Sequence, residues 1–220
     1  MPVAGDFINE VKQLFGDTSP EVILDIGSRD LEESIQLSQA FPNARVIAFE
    51  PNPTQFKICQ EASKSYPNIE VYEYACSDRE DIVDFWLVNE NVGASSILEP
   101  GDEFIDAGWQ YNYKPCTYTK IPGIQVKRID AVLTAIGIDK VDVVWMDVQG
   151  NELKALQGMG EFIDDVKIMQ TEAALVPYYK GHATKDELET WIAQQGFTTR
   201  FLETRDQHKF GESDLICTRL

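Results

Sequence analysis

Three apolar runs in this chain close on a carboxylate. They are Val22-Ile23-Leu24-Asp25-Ile26-Gly27, Arg45-Val46-Ile47-Ala48-Phe49-Glu50 and Val141-Asp142-Val143-Val144-Trp145-Met146-Asp147. A continuous apolar run bounded by turn residues is the pattern of a strand buried on both faces. Ligands of open α/β sheets bind just outside the carboxyl ends of such strands, so Asp25, Glu50 and Asp147 are expected to face one crevice. A fourth run, Asp165 to Gln170, is expected to end in Thr171-Glu172 and bring Glu172 to the same edge. Like charges gathered in one cleft repel unless a ligand or cation compensates them. The four strand tips therefore point to binding rather than to stability.

Glu50 says the most about what is bound. An ionised carboxylate only accepts hydrogen bonds, and its two oxygens can take both hydroxyl protons of a ribose. An acidic residue closing the second strand, about 20 residues past a glycine turn, is the ribose reader of nucleotide folds. Here it stands 23 positions beyond Gly27 (50 − 27) and is followed by Pro51-Asn52-Pro53. The prolines lack amide donors, so the strand must stop at Glu50 and the next helix can start.

The glycine turn narrows the nucleoside. A dinucleotide site needs G-x-G-x-x-G so that backbone can approach a pyrophosphate. The turn reads Gly27-Ser28-Arg29-Asp30-Leu31, with one glycine and an extra negative charge. Both features oppose a diphosphate. S-adenosylmethionine carries no phosphate, and its sulfonium and ammonium favour acidic surroundings. Gly27, Ser28 and Arg29 are its candidate contacts on this loop, together with Asp25, Glu50, Pro51 and Asp147. Arg29 suits either the ligand's carboxylate or a salt bridge on the first helix.

Methyl transfer from a sulfonium is an in-line displacement, which asks the protein to align the acceptor and deal with its proton. Asp147 and Glu172 are the candidate bases by position. His182, in the loop Pro177-Tyr178-Tyr179-Lys180-Gly181-His182, is the candidate by chemistry, although a solvated loop histidine is the ordinary reading. The same three side chains could hold a divalent cation, yet their spacing assigns no metal. Gln149, Asn151 and Glu152 read as capping and dipole compensation at a helix start. His208, within Arg205-Asp206-Gln207-His208-Lys209, reads as the surface of a hairpin turn.

The elements that must position these residues alternate between helix and strand. Helices are expected at Gly5 to Phe15, Asp30 to Ala40, Pro53 to Ser65, Glu152 to Gly158 and Thr184 to Gln195. Strands are expected at the four runs above, at Ile69 to Tyr74 and at Ile82 to Val88, with Phe197 to Glu203 and Asp214 to Arg219 as a terminal hairpin. This order predicts an α/β fold with a doubly wound, mostly parallel sheet and a C-terminal antiparallel hairpin, in one domain spanning 1–220. Asn89 to Lys120 shows no periodicity but carries Phe104, Trp109, Tyr111, Tyr113 and Tyr118. Long loops in compact domains tend to be lids or binding segments. This one is expected either to fold over the cofactor as an acceptor-site insertion or to pack its aromatics on the sheet edge.

Bulk properties limit the partners. With 19 basic against 37 acidic residues, the formal net charge is −18. Such a surface repels phosphate backbones and anionic membranes, so nucleic acid and membrane partners are not expected. No apolar run approaches the ~20 residues of a spanning helix, and Met1-Pro2-Val3-Ala4-Gly5 lacks signal-peptide features, so a cytoplasmic location is expected. Cys59, Cys76, Cys116 and Cys217 form no C-x-x-C pair and read as buried, reduced thiols. Whether the chain forms a homo-oligomer is open.

With those residues in view, the chain resembles the FkbM family of S-adenosylmethionine-dependent methyltransferases. The resemblance rests on Leu24-Asp25-Ile26-Gly27, Phe49-Glu50-Pro51-Asn52-Pro53, Ser95-Ser96, Met146-Asp147-Val148-Gln149-Gly150-Asn151-Glu152 and Glu172. It implies a class I methyltransferase (Rossmann-like) fold, methylation of a hydroxyl on a small metabolite or sugar, and site roles for Asp147 and Glu152. In that fold class Cys76 or Ser77, after the third strand, would line the adenine pocket. The family's first loop reads D-x-G-A-N-x-G, whereas here Leu31 replaces the second glycine and Arg29 the Asn. Two alternatives therefore remain at this point: an NAD-dependent dehydrogenase and a cofactor-binding scaffold without turnover.

Overall fold

The computed structural model describes residues 4–101, 110–111, 114–174, 177–202 and 212–219. A seven-stranded sheet is built from β1 (Val22–Ile26), β2 (Arg45–Phe49), β3 (Ile69–Tyr72), β9 (Val143–Met146), β10 (Ile168–Ala174), β11 (Thr198–Phe201) and β12 (Glu212–Thr218). Their spatial order is β11-β12-β10-β9-β1-β2-β3. Pairings from β3 across to β10 are parallel, and β12 runs antiparallel to both β10 and β11. The expected doubly wound sheet and terminal hairpin are both present.

The chain winds outward from β1 through β2 to β3 and then returns to β9 on the other side of β1. That reversal opens a crevice at the carboxyl ends of β1 and β9. All residues of β1 and β9 are buried, as their unbroken apolar runs require. Asp142 fixes the start of the pair, because its Oδ2 accepts the Glu21 and Val22 amides at 2.7 and 3.2 Å.

Helices cover both faces. On one side α1 (Ala4–Phe15), α2 (Glu32–Ala40) and α3 (Pro53–Ser63) enclose a core holding Phe7, Ile23, Leu31, Val46 and Trp145, with Phe7 edge-on to Trp145 at 5.4 Å. On the other side α4 (Ile129–Ala135), α5 (Glu152–Gln157) and α6 (Lys185–Gln194) enclose Leu24, Ile47, Met146, Leu156 and Leu215. Helix starts follow the capping signals. Asn52 accepts the Thr54 amide ahead of Pro53, and Thr184 forms a reciprocal capping box with Glu187.

Three expectations are corrected. The run at β5 (Asp81–Val88) does not join the main sheet, but pairs antiparallel with β8 (Tyr118–Lys127) in a separate sheet with β4 (Ala75–Cys76). The stretch expected to lack regular structure therefore ends in a ten-residue strand. Its Pro122-Gly123 reads as a turn but is absorbed at a register shift opposite Val83 to Phe85. Glu172 is the third correction: β10 runs on to Ala174, so Glu172 lies inside the strand, opposite Asp214 of β12.

A small hairpin of β6 (Gln110–Tyr111) and β7 (Lys114–Pro115) belongs to the same insertion, while Phe104, Trp109, Tyr113 and His208 lie outside the described residues. Cys59, Cys76 and Cys217 are buried thiols as expected, whereas Cys116 is only partly buried. Among the described residues no helix is long and apolar enough to cross a membrane.

Candidate active site

The β1–α2 turn is shaped by a close approach. Gly27 has φ +92°, and a Cβ there would fall 1.9 Å from the Asp147 carbonyl oxygen. Only glycine permits this contact between the ends of β1 and β9. The Gly27 and Ser28 amides both donate to the Phe49 carbonyl at 3.0 Å, tying the turn to β2. Arg29 (φ +47°) and Leu31 (φ +72°) then take left-handed backbone. Leu31 thus adopts the conformation a glycine would, and its side chain is fully buried in the core.

Glu50 follows β2 and is buried at 5% exposure. Its Oε2 accepts the Arg29 amide at 2.8 Å and its Oε1 accepts the Asn52 amide at 2.7 Å. Each oxygen retains a lone pair for a further donor. Burial pushes its carboxyl up to about 8 against the pull of those two amides, with Asp25 and Asp30 adding to the rise.

The crevice above these strands encloses about 1060 Å³ including its open mouth, and Gly27, Arg29, Glu50, Pro51, Cys76, Asp147 and Glu172 all line it. Phe49, Asn52 and Tyr74 flank the side nearest β2 and β3, and the turn Val92 to Ile97, with Ser95 and Ser96, closes over it from β5. Ser95 and Ser96 are held by the backbone, because their hydroxyls accept the Val88 and Leu98 amides at 3.0 Å.

Gln149 organises the far side. Its Nε2 lies 2.6 Å from Asp147 Oδ1 and 3.0 Å from Glu172 Oε2, so one carboxamide donates to both carboxylates. The Tyr179 hydroxyl donates to the Ala94 carbonyl at 2.6 Å and stands 3.3 Å from Gln149 Oε1, linking the covering turn to the same amide. Asp147 is raised above the ordinary carboxylate range, chiefly by burial, while Gln149 and Arg29 pull it down.

Four expected site residues lie elsewhere. Asp25 does not line the crevice. It is fully buried beneath α2, its Oδ2 accepts the Ser34 hydroxyl at 2.5 Å, its Oδ1 has no partner, and burial pushes it up to about 7. Ser28 and Ser77 are buried behind the lining. His182 is not a solvated loop residue, with only 6% of its side chain exposed. It occupies a small neighbouring cavity with Gly150, Glu152 and Ala174, on the other side of Gln149. Its Nε2 is 3.9 Å from Glu152 Oε2, too far to offset desolvation, so burial lowers the imidazole to about 4 and leaves it neutral. Glu152, whose Oε1 accepts the Gly150 amide at 3.0 Å, is raised by burial to about 7. Among the described residues no cluster has the arrangement of a metal site.

Sequence reasoning passed over Gln149 as a bridge and missed Glu33, Gln170 and Asp214, which also line the crevice. The alternation of Gln170, Glu172 and Ala174 along β10 was a usable signal for the last two, since Asp214 sits opposite Glu172.

Residues 25–199 match the family model of the Methyltransferase FkbM domain. The chain is 28% identical over 166 residues to the 2-O-methyltransferase NoeI of Sinorhizobium fredii, a match spanning 73% of this chain and 66% of that protein. It is 25% identical over 187 residues to the AMB antimetabolite synthetase AmbE of Pseudomonas aeruginosa, spanning 70% of this chain and 8% of that one. The chain therefore covers just under two thirds of the first relative and a small part of the second. The fold is shared with the magnesium protoporphyrin IX methyltransferase of Synechocystis, solved with bound SAM, at a TM-score of 0.52 and 13% identity over 99% of this chain and 78% of that one.

Proposed function

The chain belongs to the FkbM methyltransferase family, and on that premise we propose that it is an S-adenosylmethionine-dependent O-methyltransferase acting on a hydroxyl of a small metabolite or sugar. The observation that carries the reading is Glu50, a buried carboxylate at the end of β2 whose oxygens are oriented by two backbone amides and face the crevice. The residues fit the cofactor. Glu50 would accept both ribose hydroxyls, the Gly27 to Arg29 turn would follow the methionine end, and Pro51, Tyr74 and Cys76 would border the base.

When bound, the cofactor supplies an electrophilic methyl group beside a positive sulfur. The chain's own task is to hold a hydroxyl in line with that methyl and take its proton. Asp147 serves as the base in this reading, because burial raises its basicity above that of an ordinary carboxylate and Gln149 fixes its carboxylate. Glu172, held by the same amide, orients the acceptor. His182 does not contact the acceptor and acts only behind Gln149. The name of the Sinorhizobium relative, a 2-O-methyltransferase, supports oxygen as the atom methylated.

Leu31 gives no reason to expect an inert scaffold, since the turn keeps the left-handed backbone of a glycine at that position. Calorimetry with S-adenosylhomocysteine and NAD is the test. Binding of the former and not the latter is expected, with Glu50→Ala weakening it about 100-fold if two hydrogen bonds to a charged group are lost. Preference for NAD would overturn the proposal.

A further inference from the structure

One buried hydroxyl joins the roof of the crevice to the amide beneath it. Tyr179 is 3% exposed, and its ring lies beside that of His182 against the turn after β9. A Cβ on Gly150 of that turn would fall 2.9 Å from Tyr179 Cδ2 and 3.0 Å from His182 Cγ. Packing accounts for the ring. It does not account for the hydroxyl, whose oxygen lies 2.6 Å from the Ala94 carbonyl and 3.3 Å from Gln149 Oε1.

A phenol carries one proton, and both of these neighbours only accept. The amide nitrogen of Gln149 is committed to Asp147 and Glu172, so its carbonyl must face the hydroxyl. The single proton is therefore shared between the covering turn and the amide that holds both carboxylates.

The loop that carries Tyr179 also supports the rest of the covering segment. Gly101 donates its amide to the Tyr178 carbonyl at 2.7 Å, Lys180 donates its amide to the Glu99 carbonyl at 2.8 Å, and Lys180 Nζ pairs with Glu99 Oε1 at 2.9 Å. The turn Val92 to Ile97, just before these contacts, lines the crevice. Roof and carboxylate network thus rest on one loop.

Resting on the methyltransferase reading above, we infer that Tyr179 is a positioning residue for methyl transfer: its hydroxyl sets Gln149, and through it the Asp147 carboxylate, in register with the turn that covers the acceptor. A shift of the turn changes the share of the proton that Gln149 Oε1 receives. Hydrogen bonds in series polarise one another, so that change alters how firmly the amide holds the ionised carboxylates. Other groups act on Asp147 as well. Arg29 lowers it from the β1–α2 turn, while Asp25, Glu152, Asp214 and Glu172 lie around it on β1, α5, β12 and β10. Comparing variants at one pH holds these influences constant.

The probes are S-adenosylhomocysteine and sinefungin, an analogue in which an amine-bearing carbon replaces the methyl-bearing sulfur. Sinefungin places an ammonium where the methyl would be, so its affinity relative to S-adenosylhomocysteine reads the charge of Asp147 without any acceptor. Both are titrated calorimetrically into the full chain at neutral pH. The wild type is expected to bind sinefungin about tenfold more tightly, the scale of one hydrogen bond to a charged group. Tyr179→Phe keeps the ring, and should cut that preference to about threefold or less while changing S-adenosylhomocysteine affinity by less than about threefold. Hydrogen exchange at the Ser95 and Ser96 amides, which donate to the Val92 and Trp86 carbonyls at 3.2 Å, should quicken about tenfold in the same variant. Gln149→Leu should lower the preference by itself, and adding Tyr179→Phe to it should lower the preference no further, because the hydroxyl acts through the amide.

A Tyr179→Phe protein with the wild-type preference, equal weakening of both ligands, or a further loss in the double variant would overturn the inference. So would a wild type that binds both ligands equally. Failure of the wild type to bind either ligand would overturn the methyltransferase reading itself.

Discussion

The carboxamide of Gln149 lies 2.6 Å from the carboxylate of Asp147 and shares its second N–H with Glu172. Gln149 holds this position from left-handed backbone, φ +52°. Donation of a hydrogen bond to a carboxylate favours its charged form, whereas burial favours the neutral one. Gln149→Leu removes the donor and leaves burial unopposed, so Asp147 should stay protonated to higher pH. The expected result is that the acid limb of the kcat profile moves upward and kcat at neutral pH falls about tenfold or more, the scale of a lost hydrogen bond to a charged group. Affinity for S-adenosylhomocysteine should not change. An unmoved pH profile would show that the amide is only structural.

Three buried carboxyls set the pH response of stability. Asp25 and Glu152 are raised to about 7 and Glu50 to about 8, each chiefly by burial. The folded state therefore binds more protons than the unfolded one between the ordinary carboxylate range near pH 4 and about pH 8. By linkage, their contribution is present at low pH and is lost as the pH rises through that window. The net charge of −18 adds self-repulsion in the same direction. Calorimetric midpoints at pH 5.5 should exceed those at pH 8.5 by several degrees, given roughly 2–4 °C per kcal/mol for a chain of this size. In the proposed ribose contact it is the ionised form of Glu50 that accepts both hydroxyls, so affinity for S-adenosylhomocysteine should rise over the same interval, by at most about tenfold per unit. Glu50→Gln should flatten that rise.

Much of this frame was readable because buried parallel strands announce themselves. The runs ending at Ile26, Phe49 and Met146 have no polar alternation, and the crevice follows from their order. Glu50 was legible for the same reason, being fixed between an apolar strand and two prolines. Glu172 was misplaced because a strand's end depends on its neighbour: β12 continues the pairing to Ala174, and nothing local says so. The strand Tyr118–Lys127 was hidden by a Pro-Gly pair that works as a bulge. Gln149 and His182 were misread because their surroundings come from elements far away in sequence. Tyr179 reaches Gln149 from the loop after β10, and His182 is buried against the turn at Gly150.

Leu31 tests how a side chain offsets an unfavourable backbone. Left-handed backbone costs a non-glycine residue about 1–2 kcal/mol, and Leu31→Gly would recover that. The same change empties a fully buried leucine site, where truncation to alanine alone costs about 2.7–5 kcal/mol. The expected outcome is a net loss of roughly 2 kcal/mol in denaturant unfolding. Because the side chain belongs to the core and does not line the crevice, affinity for S-adenosylhomocysteine should change less than about threefold, or ~0.7 kcal/mol. A tenfold gain in affinity would instead show that leucine distorts the cofactor turn.

Gly27 and Gly137 separate strain from collision. Both have positive φ, +92° and +74°, so alanine is strained at either. At Gly137 a Cβ meets nothing within 4 Å, and Gly137→Ala should cost about 1–2 kcal/mol, the backbone penalty alone. At Gly27 the added carbon would sit 1.9 Å from the Asp147 carbonyl oxygen and 2.9 Å from its carbon. Relief requires the ends of β1 and β9 to part, which breaks the donation from the Asp147 amide to the Ile26 carbonyl at 2.9 Å. Gly27→Ala should therefore destabilise the chain by more than about 4 kcal/mol, in the range reserved for overpacked cores and broken networks. Urea unfolding of the two variants side by side gives the answer, and equal losses would mean that the two strand ends are free to move apart.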